Sequence, residues 1–500
     1  MSDSSPRFSS RFAFLVSALG IAVGTGNIWR FPRIAASNGG DDGAGSFLIA
    51  WVTFLFLWSI PLIIVEYVMG RTSRKGTVGA FAHFMGKPFA FLGGFIGFVA
   101  AAIAFYYSVI VGWNIYYFGS MTFSDLPTTT DSSWELWNNF QNSSFPILFH
   151  AIAMSVGGFA IYKGVSSIEK VNKVLIPTLL AIVLLCVFRA LSLPGSMAGI
   201  SYLFTPEWSQ LKDPRIWLDA LTQNAWDTGA GWGLFLTYAI YIRKRYGIIK
   251  NAFTTAIGNN LVSLLAAIMI FSTVFSILGN DLNMSKPEIL EIMKTSGPGS
   301  TGLTFIWMPQ LFVKMSFGKP LAILFFLGLT FAGFSSLISM LEQAVRNLID
   351  FGVKRATAVG WIVGVCFIMG IPSAKNIDIL ANQDFVWGVA LMLSGVLVAI
   401  AAIKYGLSRI VAEISSDIED DWPVPVWWQP LINYIVPVIG VVIFSWWMWL
   451  SATVYAPADW YDPTSLYSVA TCVVQWSIPM LTFYILNQWI NNRLENPIES

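Results

Sequence analysis

A chain of 500 residues with 55% apolar and only 11% charged residues cannot solvate the roughly three soluble domains that its length would suggest, because soluble proteins carry about 25% charge. A formal net charge of +1 offers no basic field for nucleic acid. Two histidines, His83 and His150, and three scattered cysteines, Cys186, Cys366 and Cys472, argue against a zinc site, a disulfide framework and a histidine triad.

The apolar residues come in long runs. A hydrocarbon core of about 30 Å needs about 20 helical residues, and candidate stretches fall near 12–37, 45–70, 89–123, 146–163, 170–190, 217–242, 250–279, 319–350, 355–372, 382–406, 431–451 and 466–489. The expectation is an all-α polytopic membrane protein of about 12 transmembrane helices, forming a single transmembrane domain over residues 1–500. The first stretch carries Arg30 and Arg33 near its far end and lacks a small-residue cleavage site, so it reads as a retained span rather than a signal peptide.

Lys and Arg collect in alternate loops: Arg7 and Arg11, then Arg71, Arg74, Lys75 and Lys87, then Lys163, Lys170 and Lys173, then Arg243 to Lys250, then Arg346 to Arg355. The 124–145 loop has none. The positive-inside rule then places both termini in the cytoplasm. The longest extramembrane candidates are 280–318, with S-G-P-G-S-T-G in its middle, and the acidic, Pro/Trp-rich 413–430.

Within the spans, two glycine clusters interrupt the pattern: G-I-A-V-G-T-G-N-I-W-R-F at 20–31 and W-D-T-G-A-G-W-G at 226–233. Each glycine weakens a helix interior by about 1 kcal/mol relative to alanine. One such cluster is explained by close helix packing. A pair in the first and sixth spans points instead to a transporter with discontinuous helices around a midplane site. Charges sharpen this, since ionisable groups within spans mark functional or pairing sites. Arg30, Glu66, Asp227 and Glu342 are of that kind. Glu66 reads as an acceptor for the N–H groups of an unwound helix, whereas Asp227 directly adjoins a glycine break.

These residues resemble the neurotransmitter:sodium symporter family over about residues 7–490. The resemblance rests on G-x-G-N-x-W-R-F-P at Gly24–Pro32, N-G-G at 38–40, G-R at 70–71, Tyr106-Tyr107, F-A-G-F-S-S at 331–336 and D-F at 384–385. It implies a 5+5 inverted repeat (about 12–190 and 217–406) with two extra helices at about 431–489. It also implies sodium-driven symport of an amino acid or related small molecule by alternating access across the plasma membrane, and no enzymatic activity. The implied partners are that small-molecule substrate and the lipid bilayer; oligomeric state is not addressed.

The resemblance further implies site roles. The substrate carboxylate would meet the N–H groups of Thr25 and Gly26 and the Tyr107 hydroxyl, in a pocket with Ala22, Gly24, Ile103, Trp226, Gly229, Trp232, Ser336 and Met340. A positive helix end suits a carboxylate, and unwound carbonyls suit a hard cation. A first Na+ site maps to Ala22, Asn27, Asp227 and Asn259, and a second to Gly20, Val23, Ala332, Ser335 and Ser336. Arg30 with Asp384 resembles an outer gate, and Arg7 with Asp350 an inner one, although this Arg sits closer to Phe8 than usual.

Four departures from the family pattern stand out. Position 227 is Asp where a hydroxyl residue is usual, Ser263 replaces the glutamate of chloride-independent bacterial members, Trp51 replaces a chloride-holding tyrosine, and D-D-G-A-G-S follows Gly40. Asp227 could supply the charge that chloride supplies elsewhere, so no chloride is expected. Other readings of the same residues are a ligand sensor or ion conductor without coupled uptake, and a symporter of an amine or other cation.

Overall fold

The computed structural model describes residues 6–294, 301–415 and 421–495, and helices are the regular elements among them. In chain order they are α1 (Arg11–Ala22), α2 (Thr25–Ser37), α3 (Gly45–Ser73), α4 (Thr77–Met85), α5 (Ala90–Phe123), α6 (Thr130–Gln141) and α7 (Phe145–Ile161). There follow α8 (Val165–Leu191), α9 (Ser196–Phe204), α10 (Pro214–Thr228), α11 (Leu234–Ala239), α12 (Ile249–Asp281), α13 (Lys286–Lys294) and α14 (Leu303–Val313). The last are α15 (Gly318–Asp350), α16 (Arg355–Lys375), α17 (Ile377–Tyr405), α18 (Leu407–Ser415), α19 (Trp428–Tyr455), α20 (Val469–Ile485) and α21 (Asn487–Glu495).

Eight of these, α3, α5, α8, α12, α15, α16, α17 and α19, are long and apolar enough to cross a membrane alone. Three bent pairs are long and apolar enough only when taken together: α1 with α2 at 47°, α6 with α7 at 71° and α20 with α21 at 54°. The remaining apolar stretch is α10 with α11, too short and too interrupted to pass as one apolar helix. Of these interruptions, α1–α2 and α10–α11 fall where the glycine clusters are. Within α3, residues Leu55–Ser59 form a π turn, the widened one-turn geometry in which each amide reaches back five residues.

Two segments expected as loops are helical. The stretch 124–145 contains α6, capped by Thr129, whose hydroxyl accepts the Ser132 N–H. The 280–318 segment contains α13 and α14, whose apolar residues Ile289, Met293, Phe305 and Phe312 are buried. Short amphipathic helices like these bury one stripe against the bundle, a pattern easily missed beside longer spans. Most of S-G-P-G-S-T-G and residues 416–420 lie outside the described residues.

The breaks have identifiable causes. Between α1 and α2 the Gly24 N–H turns from the helix ladder to the Ala22 carbonyl (3.0 Å) and the Asn27 side-chain oxygen (2.8 Å). Between α10 and α11, Gly229, Gly231 and Gly233 have φ of +70°, +87° and +79°, a left-handed backbone that side chains with a Cβ adopt at a cost. The carboxylate of Glu66 spans that break, accepting the N–H groups of Gly231 (2.8 Å) and Gly233 (2.5 Å). Glu66 is fully buried, and its place on α3 answers the expectation drawn from its sequence. The long α15 packs along α5 and α8, while α1 lies against α8 and α12. The two broken spans thus face each other through the middle of the bundle.

Candidate functional site

A small central cavity sits where the two breaks meet. It is lined by Ile21, Ala22, Gly24, Gly26, Asn27, Tyr107, Trp226, Asp227, Gly229, Trp232, Ser336 and Met340, and its free volume is only about 20 Å³, room for about one water. Nearly all the expected pocket residues are therefore gathered. Ile103 and Thr25 are the exceptions: both are buried and neither lines the cavity. Asp227 and Asn27 line it too, which ties the first cation group directly to the pocket.

The corner expected to receive a carboxylate is built around Tyr107. Its hydroxyl oxygen accepts the Thr25 N–H (3.2 Å) and the Thr25 hydroxyl (3.1 Å), leaving its own proton to donate inward. Gly24 is required here by close approach. A Cβ at this position would stand 2.8 Å from the Ser336 hydroxyl oxygen and 3.1 Å from that of Tyr107.

The residues expected to hold the first sodium are in mutual contact. Asn27 donates to Asn259 and to Ser263, both at 2.8 Å, and Ser263 donates to the Asp227 carboxylate at 3.2 Å. The outer amide atom of Asn259 lies 3.0 Å from the Ala22 carbonyl oxygen and 3.1 Å from that of Asp227. As nitrogen it donates to both. As oxygen it accepts the Asn27 amide and joins those two carbonyls in a cluster of acceptors, a donor set that fits a hard cation.

The second group is gathered more loosely. Ser335 donates to the Val23 carbonyl (3.2 Å) and the Ala332 carbonyl (2.9 Å), and the Ser335 Cβ would meet a Cβ on Gly20 at 3.3 Å. Ser336 turns instead to the Ile21 carbonyl (3.3 Å) and faces the central cavity. Beside Gly20 lies Asn172, fully buried on α8, with both amide atoms lacking a protein partner. No sequence motif pointed to Asn172, which stands between Lys170 and Lys173 at the charged start of its span.

Above the central cavity a second, larger one of about 440 Å³ opens toward the bundle end opposite the basic loops. Trp226 lines both, so its ring is the partition. Arg30 lies over that ring at 5.1 Å, and Trp226 meets Trp232 edge to face at 5.3 Å. The expected Arg30–Asp384 pair is not formed: Asp384 accepts the Tyr106 hydroxyl at 3.1 Å while Arg30 stays on the indole.

The opposite end is closed. Glu342, fully buried, is bound by Arg355 and by the Tyr241 hydroxyl (2.7 Å), and Arg355 also reaches the Ile161 carbonyl. The Phe8 N–H donates to the Tyr241 carbonyl at 3.1 Å, and Arg243 donates to the Phe8 carbonyl at 3.2 Å. Asp350, assigned above to Arg7, is held by Arg346 (2.8 Å) and the Gly76 N–H (2.5 Å).

An all-α membrane bundle with two broken helices around a small polar site, open on one side and latched on the other, defines an alternating-access transporter. The model of the sodium:neurotransmitter symporter family matches residues 5–146 and 143–493, and the chain belongs to that family. It is 30% identical over 451 residues to an uncharacterised sodium-dependent transporter of Methanocaldococcus jannaschii, covering 86% of this chain and 88% of that one. It is 29% identical to the sodium-dependent serotonin transporter of Drosophila melanogaster, covering 95% and 81%. The crystal structure of MhsT in complex with L-phenylalanine superposes with a TM-score of 0.76 at 29% identity, covering 88% of this chain and 99% of that one. The protein is a sodium-dependent symporter, not an enzyme.

Proposed function

We propose that the protein takes up an amino acid or a related small molecule with two sodium ions, without chloride, using Asp227 as the fixed negative charge. The observation that carries this reading is the contact chain Asn259–Asn27–Ser263–Asp227 beneath the central cavity. A sodium ion far from water needs compensating charge, and Ser263 has none to give. Asp227 stands within hydrogen-bond reach of Ser263, on the helix end that also lines the substrate cavity.

In this reading Ala22, Asn27, Asp227 and Asn259 hold the first ion, and Gly20, Val23, Ala332, Ser335 and Ser336 the second. Thr25, Gly26 and Tyr107 receive the substrate carboxylate. Residues 12–190 and 217–406 form the two repeats, with two further helices over 431–489. Both termini face the cytoplasm, which makes the latched end the inner one and the 440 Å³ vestibule the outer mouth. Arg30 and Asp384 close that mouth when substrate is bound.

The test is uptake of labelled amino acids into sealed vesicles, driven by a sodium gradient, in chloride and in gluconate. Equal uptake in both media, and its loss in Asp227→Asn, are expected. Failure of the native protein in gluconate overturns the reading. A second reading is favoured by Asp227 lining the cavity: its carboxylate receives the substrate's amine. In that case Asp227→Asn keeps sodium-dependent stabilisation and loses only the response to substrate.

A further inference from the structure

Asn172 is fully buried on α8, and neither its amide oxygen nor its amide nitrogen has a hydrogen-bond partner. Buried polar groups are almost always paired, and an orphaned one marks an unexplained ligand or a functional site. The packing says which. Helix α8 lies against α1, which carries Gly20, and against α15, which carries Ala332 and Ser335. The three helices meet at Gly20. A Cβ there would stand 3.3 Å from the Ser335 Cβ, 3.4 Å from the Asn172 amide nitrogen and 3.3 Å from the Ile176 Cδ1. The missing side chain thus leaves a small space that Ser335 and the Asn172 amide share, with an apolar methyl closing its third side. The Tyr238 hydroxyl adjoins the same amide.

Ser336 is turned away from this space. Its hydroxyl donates to the Ile21 carbonyl at 3.3 Å, and its side chain lines the central cavity. The second group is then left with three carbonyls and the Ser335 hydroxyl, one oxygen short of the expected set. A side-chain amide oxygen suits a hard cation as a backbone carbonyl does. The nitrogen of Asn172 now faces Gly20. A half turn of the amide puts its oxygen there instead, and no hydrogen bond opposes that turn.

We propose that Asn172 is a ligand of the second sodium ion, its amide oxygen taking the place that Ser336 leaves, beside the carbonyls of Gly20, Val23 and Ala332 and the Ser335 hydroxyl. Ser336 then serves the central pocket alone. The proposal rests on the second-ion reading above and alters it by one ligand.

The experiment is a thermal-denaturation titration of the purified full-length protein with sodium chloride, choline chloride holding the ionic strength and the chloride constant. Sodium bound to the folded state raises the midpoint by mass action. Asn172→Leu should raise the sodium concentration that gives half of this shift by about tenfold or more. Its sodium-free midpoint should equal the native one or exceed it, because apolar atoms replace an unsatisfied amide. A merely structural role would lower that midpoint and leave the sodium dependence as it was. Asn172→Asp, which keeps an oxygen, should retain the sodium shift. Ser336→Ala should retain it too and weaken the further shift given by substrate. Asn172→Ala carries the same comparison if the leucine variant does not fold. A native sodium dependence in Asn172→Leu, with that of Ser335→Ala weakened, overturns the proposal alone. A native dependence in both variants overturns the second-ion reading with it.

Discussion

Glu66 is the residue on which the second break depends. It is fully buried and receives two N–H groups that the interrupted helix cannot satisfy. A buried donor left without an acceptor costs about 1–3 kcal/mol, so Glu66→Ala should destabilise the protein by roughly 2–6 kcal/mol. Thermal unfolding in detergent measures this, and Glu66→Gln, which keeps one acceptor, should lie between. Ser335 acts on a different observable. Its hydroxyl touches two carbonyls that it shares with the proposed second ion. Ser335→Ala should therefore lower apparent sodium affinity in the same assay by about tenfold or more, with little change in the sodium-free midpoint.

Among the elements, hydropathy located the long helices because a membrane span must be apolar over about 20 residues. The breaks were legible for a separate reason: clustered glycines contradict the helix they interrupt. Helices α6, α13 and α14 were not, since their apolar stripes are short and their partners lie far away in sequence. The site was legible where a motif carried it, as at Gly24–Pro32. It was not legible where a contact depends on packing, as in Arg355 reaching Glu342. The run after Gly40, which carried no function in sequence, proves to be a docked loop. Glu207 accepts the Asp42 N–H at 3.2 Å, the Gly40 carbonyl accepts the Tyr202 hydroxyl at 2.9 Å, and Ser46 donates to the Glu207 carbonyl at 2.7 Å. The Asp42 N–H and the Ser209 hydroxyl hold the Glu207 carboxyl below its ordinary value of 4.5. A depressed carboxylate stabilises the fold above its ordinary pKa and loses that contribution as pH falls through the folded value. Hydrogen exchange over residues 39–46 should thus be steady from pH 7 to about 5, after correction for intrinsic rates, and accelerate below about 4.5. Glu207→Gln should remove that step.

For the whole molecule, the two ends are unequal. The vestibule end is held apart with Arg30 on Trp226, while the basic end is fastened by Tyr241, Glu342 and Arg355 and by Phe8 folded against Tyr241. Removing one partner of a buried pair leaves an uncompensated charge and costs about 3–5 kcal/mol. Arg355→Ala should unfasten only this end. A cysteine introduced at Ser339, one turn from Ser335 on α15, should then react with a membrane-impermeant thiol reagent from the basic side, where the same cysteine without Arg355→Ala is protected. Arg30→Ala acts at the other end. It should lower uptake several-fold and leave sodium-dependent stabilisation intact, and unchanged uptake would remove Arg30 from the gate.

The π turn at Leu55–Ser59 carries a consequence for how this chain tolerates change in length. A π turn is an α-helix with one residue too many, confined to a single turn. Deleting one residue inside it restores regular helix and leaves everything downstream facing as before. Deleting one residue elsewhere between the turn and Glu66 rotates the carboxylate by about 100°, away from Gly231 and Gly233. The turn is therefore a seam, the place in this span where a single codon can be lost without losing the register of Glu66.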